Sequence, residues 1–323
     1  MYNACTMFFE TLQITFSATM QVLLLGACGY FAVKGKMLDN RGLDQLTAVL
    51  VNILLPCFAF TQLMQHFSFQ EFPYWWKLPL LYAGMALSAL ALAYVIGFGF
   101  KGHRKNEFLA LVGFQNCGNI PLVVVAALFT GQPAHALYIY IVLYIIGANL
   151  LIWSLGVGLL LQGQKIKMDW KKIFNPPLVT TVLTMTLIGF GAQHYLPQVV
   201  IKPVEMLGNC ALTFAMFTVG GGLASLRLRH IAIGPMAMVV VTKMIIFPLL
   251  ALGAIVAFKV SGLIGFLIIL EAAVPSAVTL SLIKRYYNIE EDFVSEGVFI
   301  THLASIVTIP IFLTIYMKMT GQF

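Results

Sequence analysis

Gly113-Phe114-Gln115-Asn116-Cys117-Gly118-Asn119-Ile120-Pro121-Leu122 lies in the middle of one long apolar run, and Glu271-Ala272-Ala273-Val274-Pro275-Ser276-Ala277-Val278-Thr279 lies in the middle of another. Each stretch holds a proline with amide or hydroxyl side chains beside it. A proline inside a helix donates no backbone hydrogen bond, and its ring collides with the carbonyl four residues back. Hydrocarbon offers no water to repair that loss. Broken helix at membrane depth survives only where protein or a wet cavity satisfies the freed groups. Two such interruptions, placed alike in two halves of a hydrophobic chain, point to a transporter's binding site.

The surrounding composition agrees. Of 323 residues, 60% are hydrophobic and 10% charged, too few charges to cover a water-soluble surface of this size. Apolar runs of about 20 residues recur from end to end, each long enough to cross a bilayer as a helix. Ten spans are expected, at roughly 11–33, 43–64, 77–99, 107–130, 135–161, 174–195, 199–225, 230–258, 262–286 and 293–318. No basic segment precedes a short apolar core at the start, so no cleaved signal peptide is expected.

The net charge of +7 invites a nucleic-acid reading, and its distribution refuses it. Lys34, Lys36, Arg41, Lys101, Arg104, Lys105, Lys165, Lys167, Lys171, Lys172, Arg227, Arg229, Lys284 and Arg285 fall in alternate loops, on one side of the membrane. Lys77, Lys202, Lys259 and Lys318 fall on the other, and Lys243 lies inside a span. That asymmetry makes the basic loops cytoplasmic and puts both termini outside. No nucleic-acid partner is expected; the lipid bilayer is.

Nothing calls for a cofactor or metal. The five cysteines are scattered, without CxxC or zinc spacing, and read as packing residues. Gly97-Phe98-Gly99-Phe100-Lys101-Gly102 matches GxGxxG but ends a membrane helix, where a nucleotide loop would follow a strand. Paired carboxylates, HExxH and a Ser/His/Asp set are all missing, so an enzyme is not expected.

An internal repeat emerges on comparing the halves. Leu50, Asn52, Leu55, Phe60 and Thr61 match Leu207, Asn209, Leu212, Phe217 and Thr218 at an offset of 157, and Pro121 meets Pro275 at 154. Five spans per unit is odd, so the units, 1–165 and 166–323, have opposite orientation: an inverted repeat. Gly220-Gly221-Gly222 reads as close helix packing, with a dimer interface one place for it. Asn149 reads as an interhelical hydrogen bond and His302 as hydrogen-bonded packing. Lys243 and Glu271 lie at similar depth on consecutive spans. Buried charges at the bilayer centre cost about 3 kcal/mol on an insertion scale, so they pair or face a cavity. They are expected to be neighbours, as a structural ion pair or as a coupling site.

Several of these stretches resemble the auxin efflux carrier family, which includes bacterial permeases and the plant PIN carriers. The resemblance runs over essentially the whole chain. It rests on Ala272-Ala273-Val274-Pro275-Ser276-Ala277-Val278 with Lys284-Arg285-Tyr286, on Leu54-Leu55-Pro56 with Phe60, on Ala215-Met216-Phe217-Thr218-Val219-Gly220, and on Gln115-Asn116-Cys117-Gly118. It implies an all-α membrane protein of ten helices, a 5+5 inverted repeat with two proline-broken crossover helices, NhaA-like or bile-acid-transporter-like. It further implies a scaffold of spans 1, 2, 6 and 7, a transport unit of spans 3–5 and 8–10, a homodimer through the scaffold, and export of small organic anions. Without a long central loop, the chain is similar to the compact bacterial type, in the inner membrane.

The expected function is therefore a secondary carrier exporting a small organic anion by alternating access. Asn116, Asn119, Pro121, Pro275, Ser276 and Thr279 are the expected substrate site, where two helix N-termini at midplane would meet a carboxylate. Lys243 and Glu271 are the expected charge pair or coupling site. The alternatives are a cation/proton antiporter, which needs carboxylates at the crossing, and a transporter-fold sensor, which needs a signalling domain.

Overall fold

The computed structural model describes residues 2–163, 169–226, 232–289 and 292–321. Lys165, Lys167, Arg227 and Arg229 of the basic loops lie outside the described residues. The regular elements described are helices: α1 (Tyr2–Lys34), α2 (Asn40–His66), α3 (Lys77–Ile96), α4 (Gly102–Gly113), α5 (Asn119–Leu128), α6 (Gln132–Leu161), α7 (Pro176–Gly189), α8 (Gln198–Ser225), α9 (Ile233–Ala257), α10 (Gly262–Ala273), α11 (Thr279–Tyr286) and α12 (Asp292–Thr320). Among the described residues, seven of these stretches are long and apolar enough to cross a membrane: those in α1, α2, α3, α6, α8, α9 and α12. α5, α7 and α10 are apolar but shorter. The stretches expected as spans four and nine each arrive as two half-helices, α4 with α5 and α10 with α11.

Local sequence sets the boundaries. Asp39 caps α2 by accepting from the Gly42 amide at 2.8 Å, and Asn175 caps α7 by accepting from Leu178 at 3.1 Å. Pro176 and Pro177 open α7, where a missing N–H costs nothing. Three helices contain one wide π turn, at Leu50–Leu54, Ile152–Gly156 and Val241–Ile246. The first and third lie just ahead of Pro56 and Pro248. Widening the helix there relieves the clash between each proline ring and the carbonyl behind it.

α8 packs on α1 and α2, α2 packs on α7, and α3 packs on α6. The α1–α8 approach is close because glycine removes the Cβ. A Cβ on Gly29 would strike the Phe217 backbone, and one on Gly220 would strike Gly26. Gly220 is thus occupied inside the chain. α12 packs along both α1 and α10.

Candidate functional site

The two broken stretches cross. α4 ends at Gly113 and α5 restarts at Asn119; α10 ends at Ala273 and α11 restarts at Thr279. Between them the backbones run antiparallel for one bridge, Gln115 opposite Ser276. The Asn116 amide donates to the Pro275 carbonyl at 2.9 Å, and the Ala277 amide donates to Phe114 at 3.0 Å. Each break therefore satisfies the backbone groups freed by the other, which is what irregular backbone needs at this depth.

Pro121 departs from expectation. It lies inside α5, in the first turn, not in the break. Its missing N–H is one that the first turn would leave unpaired anyway. In the second stretch Pro275 does lie in the break. The spacing that relates the breaks is therefore 160, separating Gly113 from Ala273 and Asn119 from Thr279, and the proline-to-proline offset of 154 does not describe the crossing.

Side chains from α12 finish the crossing. The Thr301 hydroxyl accepts from the Ser276 amide at 3.3 Å. His302 Nδ1 is 2.8 Å from the Val298 carbonyl, an acceptor only, so this nitrogen carries the proton. Nε2 then accepts from the Asn116 side-chain amide at 3.3 Å. Ser276 is fully buried, and its hydroxyl donates to the Leu111 carbonyl at 2.6 Å.

A cavity of ≈ 280 Å³ opens beside the crossing. Of the expected site residues it brings together Asn116, Asn119 and Thr279; Pro121, Pro275 and Ser276 do not line it. Gln115, Asn149, Asn175 and Thr181 also face it, so neutral amides and hydroxyls supply its polar surface, with Phe58 and Trp153 among the apolar walls. Asn149, expected in an interhelical hydrogen bond, is a wall of this cavity. Gln115 stands in the quoted motif, and its place next to Asn116 was the available signal. Asn175 gave none, because a helix cap explains it fully. A second cavity of ≈ 120 Å³ shares Val51, Asn119, Thr279 and Leu282 with the first and reaches Asp44 and Arg285. Both cavities lie towards the basic loops.

Behind the crossing, away from the cavity, Lys243 and Glu271 are both 0% exposed. They lie within electrostatic reach of each other. Lys243 Nζ and both Glu271 oxygens have no hydrogen-bond partner, so they make no direct ion pair. Lys243 lies over the Phe247 ring at 4.9 Å. Tyr82, Tyr144 and the cavity-lining Cys117 lie within electrostatic reach of Glu271. Gln115 joins this group to the crossing: its Nε2 donates to the Tyr144 hydroxyl at 2.8 Å, and that hydroxyl donates to the Met85 sulfur at 3.3 Å. A direct ion pair lies elsewhere in the region, between Lys284 at the end of α11 and Glu107 in α4.

The model of a family described as membrane transport protein matches residues 14–169 and 164–313. An uncharacterized transporter of Methanocaldococcus jannaschii is 23% identical over 307 residues, 92% of this chain and 97% of that protein. Another, of Methanothermobacter thermautotrophicus, is 22% identical over 296 residues, 90% of this chain and 95% of that protein. Auxin efflux carrier component 1 of Arabidopsis thaliana is 27% identical over 154 residues, 46% of this chain and 24% of that protein. With these matches running along a multi-pass helical chain, the protein belongs to the membrane transport protein family, that of the auxin efflux carriers.

Proposed function

We propose that this protein is a secondary carrier that exports a small organic anion, a carboxylate, by alternating access. The observation that carries this is the cavity at the crossing, where Asn116, Asn119 and Thr279 meet the starts of α5 and α11. The first amides of a helix have no intrahelical acceptor, and the aligned peptide dipoles favour negative charge there. At α11 the Leu280 and Ser281 amides already donate to Ala277 and Val278, so a carboxylate would complete the hydrogen bonding chiefly at the start of α5, and the side-chain amides would add neutral donors. No charged side chain lines this cavity among the described residues, whereas Arg285 lines the neighbouring one towards the basic loops. A site without a fixed counter-charge can release its anion, which a carrier needs as much as binding.

The transmembrane architecture proposed is ten spans in a 5+5 inverted repeat, with both termini outside the inner membrane. α1, α2, α7 and α8 would be the scaffold and the dimer surface, and the rest the moving unit. In this arrangement the cavities open to the cytoplasm. The other side is closed by α2 against α6, where Phe58 and Tyr138 meet edge to face at 5.2 Å and Gln62 bonds His135. Lys243 and Glu271 would serve as a buried charge pair or coupling site linked to the crossing through Gln115. An antiporter moving cations would need a carboxylate in the cavity, and Glu271 does not line it.

Proteoliposomes with a panel of mono- and dicarboxylates, with and without pH and sodium gradients, test this. Saturable carboxylate flux, weakened by Asn119→Leu, is the expected result. Cation flux with no carboxylate flux would overturn the proposal.

A further inference from the structure

We propose that His66 and His135 form a proton-operated latch on the closed side of the carrier. This rests on the alternating-access reading above and adds to it a control that none of the site residues provides. His66 is the last residue of α2, and His135 lies in the first turn of α6. Their rings stack with centroids 3.7 Å apart and planes 21° from parallel. One ring therefore belongs to the proposed scaffold and the other to the proposed moving unit, and the stack bridges the seam that must part for the opposite side to open.

The neighbours define how many protons the stack accepts. His135 Nδ1 lies 3.3 Å from the Gln62 side-chain oxygen, one turn before His66 on α2. That oxygen only accepts, so Nδ1 of His135 carries a hydrogen when the ring is neutral. From α8, Glu205 accepts from Gln65 at 3.2 Å and lies within electrostatic reach of His66. From α6, Tyr138 meets the edge of His135 at 6.5 Å. Glu205 thus faces the stack from α8 and Tyr138 from α6. A first proton on the pair is balanced by the Glu205 carboxylate. A second puts like charges on two faces in van der Waals contact, with the Glu205 carboxylate within reach of His66. Two neutral rings, or one neutral and one charged, hold the seam; two charged rings push it apart. Histidine is the side chain that makes this change within mildly acidic pH.

The structure supplies its own reporter. Cys117 lines the cavity directly below the seam and is buried. In a full-length protein with Cys5, Cys28, Cys57 and Cys210 replaced by alanine, a membrane-impermeant maleimide added outside right-side-out vesicles reaches Cys117 only when the closed side opens. Acidifying the outside from pH 7.5 to 5.5 is expected to raise that labelling at least fivefold. Maleimide reacts with the thiolate, which acid depletes, so every rate is divided by that of a small free thiol at the same pH, and these ratios are what is compared. His66→Gln and His135→Gln each keep a polar side chain without the second charge. Each is expected to label at one rate across this pH range while retaining the thermal midpoint of the parent. A pH-independent rate in the parent overturns the latch, as does an acid-induced rise that persists in both variants. Carboxylate flux measured in the same vesicles separates the two claims. Flux with pH-independent labelling sinks the latch and keeps the carrier. Latch behaviour without carboxylate flux keeps the gate and sinks the substrate assignment.

Discussion

The two broken helices have the same outline and different chemistry. Both breaks span five residues, 114–118 and 274–278, between an apolar half-helix and a restart. The second is broken by a proline in the gap. The first has no proline in its gap at all and is held open by Asn116, which donates its backbone amide to Pro275 and its side-chain amide to His302. A break at membrane depth is therefore set by which neighbours accept and donate, and proline is only one way of freeing the groups. At the 160-residue spacing Leu111 stands opposite Glu271, Asn116 opposite Ser276, Asn119 opposite Thr279, and Pro121 opposite Ser281. One stretch is turned mainly to the cavity, the other to structure and charge.

The harshest way to break this comparison is at Glu271, where the first stretch carries Leu111. Glu271→Leu makes the stretches alike and removes the carboxyl within electrostatic reach of the buried Lys243 amine, which we expect to cost about 1–3 kcal/mol of stability. Lys243→Met should cost about the same by removing the amine within reach of Glu271, and the double variant should recover part of the loss. Thermal unfolding in detergent reads all three. Strictly additive losses would show that the two residues act independently.

Ser276 and Asn116 sharpen the comparison at its centre. Ser276→Ala leaves the buried Leu111 carbonyl without its side-chain donor, a loss of about 1–3 kcal/mol. The expected result is a lower thermal midpoint with unchanged affinity for a transported carboxylate. Asn116→Ala removes a bond of about 1 kcal/mol to His302 and a cavity donor with it. Its affinity should fall about tenfold, in line with one lost polar contact. Equal effects on affinity from the two substitutions would contradict the division between them.

Asn119 and Thr279 occupy matching positions, and both face the cavity. Asn119→Ala and Thr279→Ala should each weaken binding by roughly three- to tenfold, the worth of one hydrogen bond. Isothermal titration with the same carboxylate checks this. Binding that survives removal of one residue untouched would leave the site on one stretch only.

The mildest change is Pro121→Ala. In the first turn of α5 the proline removes no helical hydrogen bond, so stability should move by less than about 0.5 kcal/mol and flux should persist. Loss of transport in this variant would put Pro121 back at the crossing.

The residue pattern alone carried a good deal of this. Gln115-Asn116-Cys117-Gly118 and Val274-Pro275-Ser276-Ala277 do contain both breaks. The first was nonetheless centred on Pro121, because in sequence a proline is the loudest signal of a broken helix. Asn116 breaks more quietly, through hydrogen bonds to Pro275 and His302 that have no local signature. Asn149 reads in sequence as an interhelical hydrogen bond for the same reason: its neighbours decide whether it meets a helix or a cavity. Gln115 stood in the quoted motif without a role until Tyr144 was found beside it.

The apolar runs, the one-sided basic loops and the polar interruptions depend on composition and spacing along the chain. They determined a multi-pass helical protein and the two stretches that matter in it. Which polar groups line the cavity and which are buried behind it was decided by the tertiary structure. Irregular backbone has no 3.6-residue period to orient side chains, so direction there follows from partners. The Leu111 carbonyl turns Ser276 inward, His302 holds Asn116 at the cavity wall, and Glu271 lies behind the crossing among Tyr82, Tyr144 and Cys117.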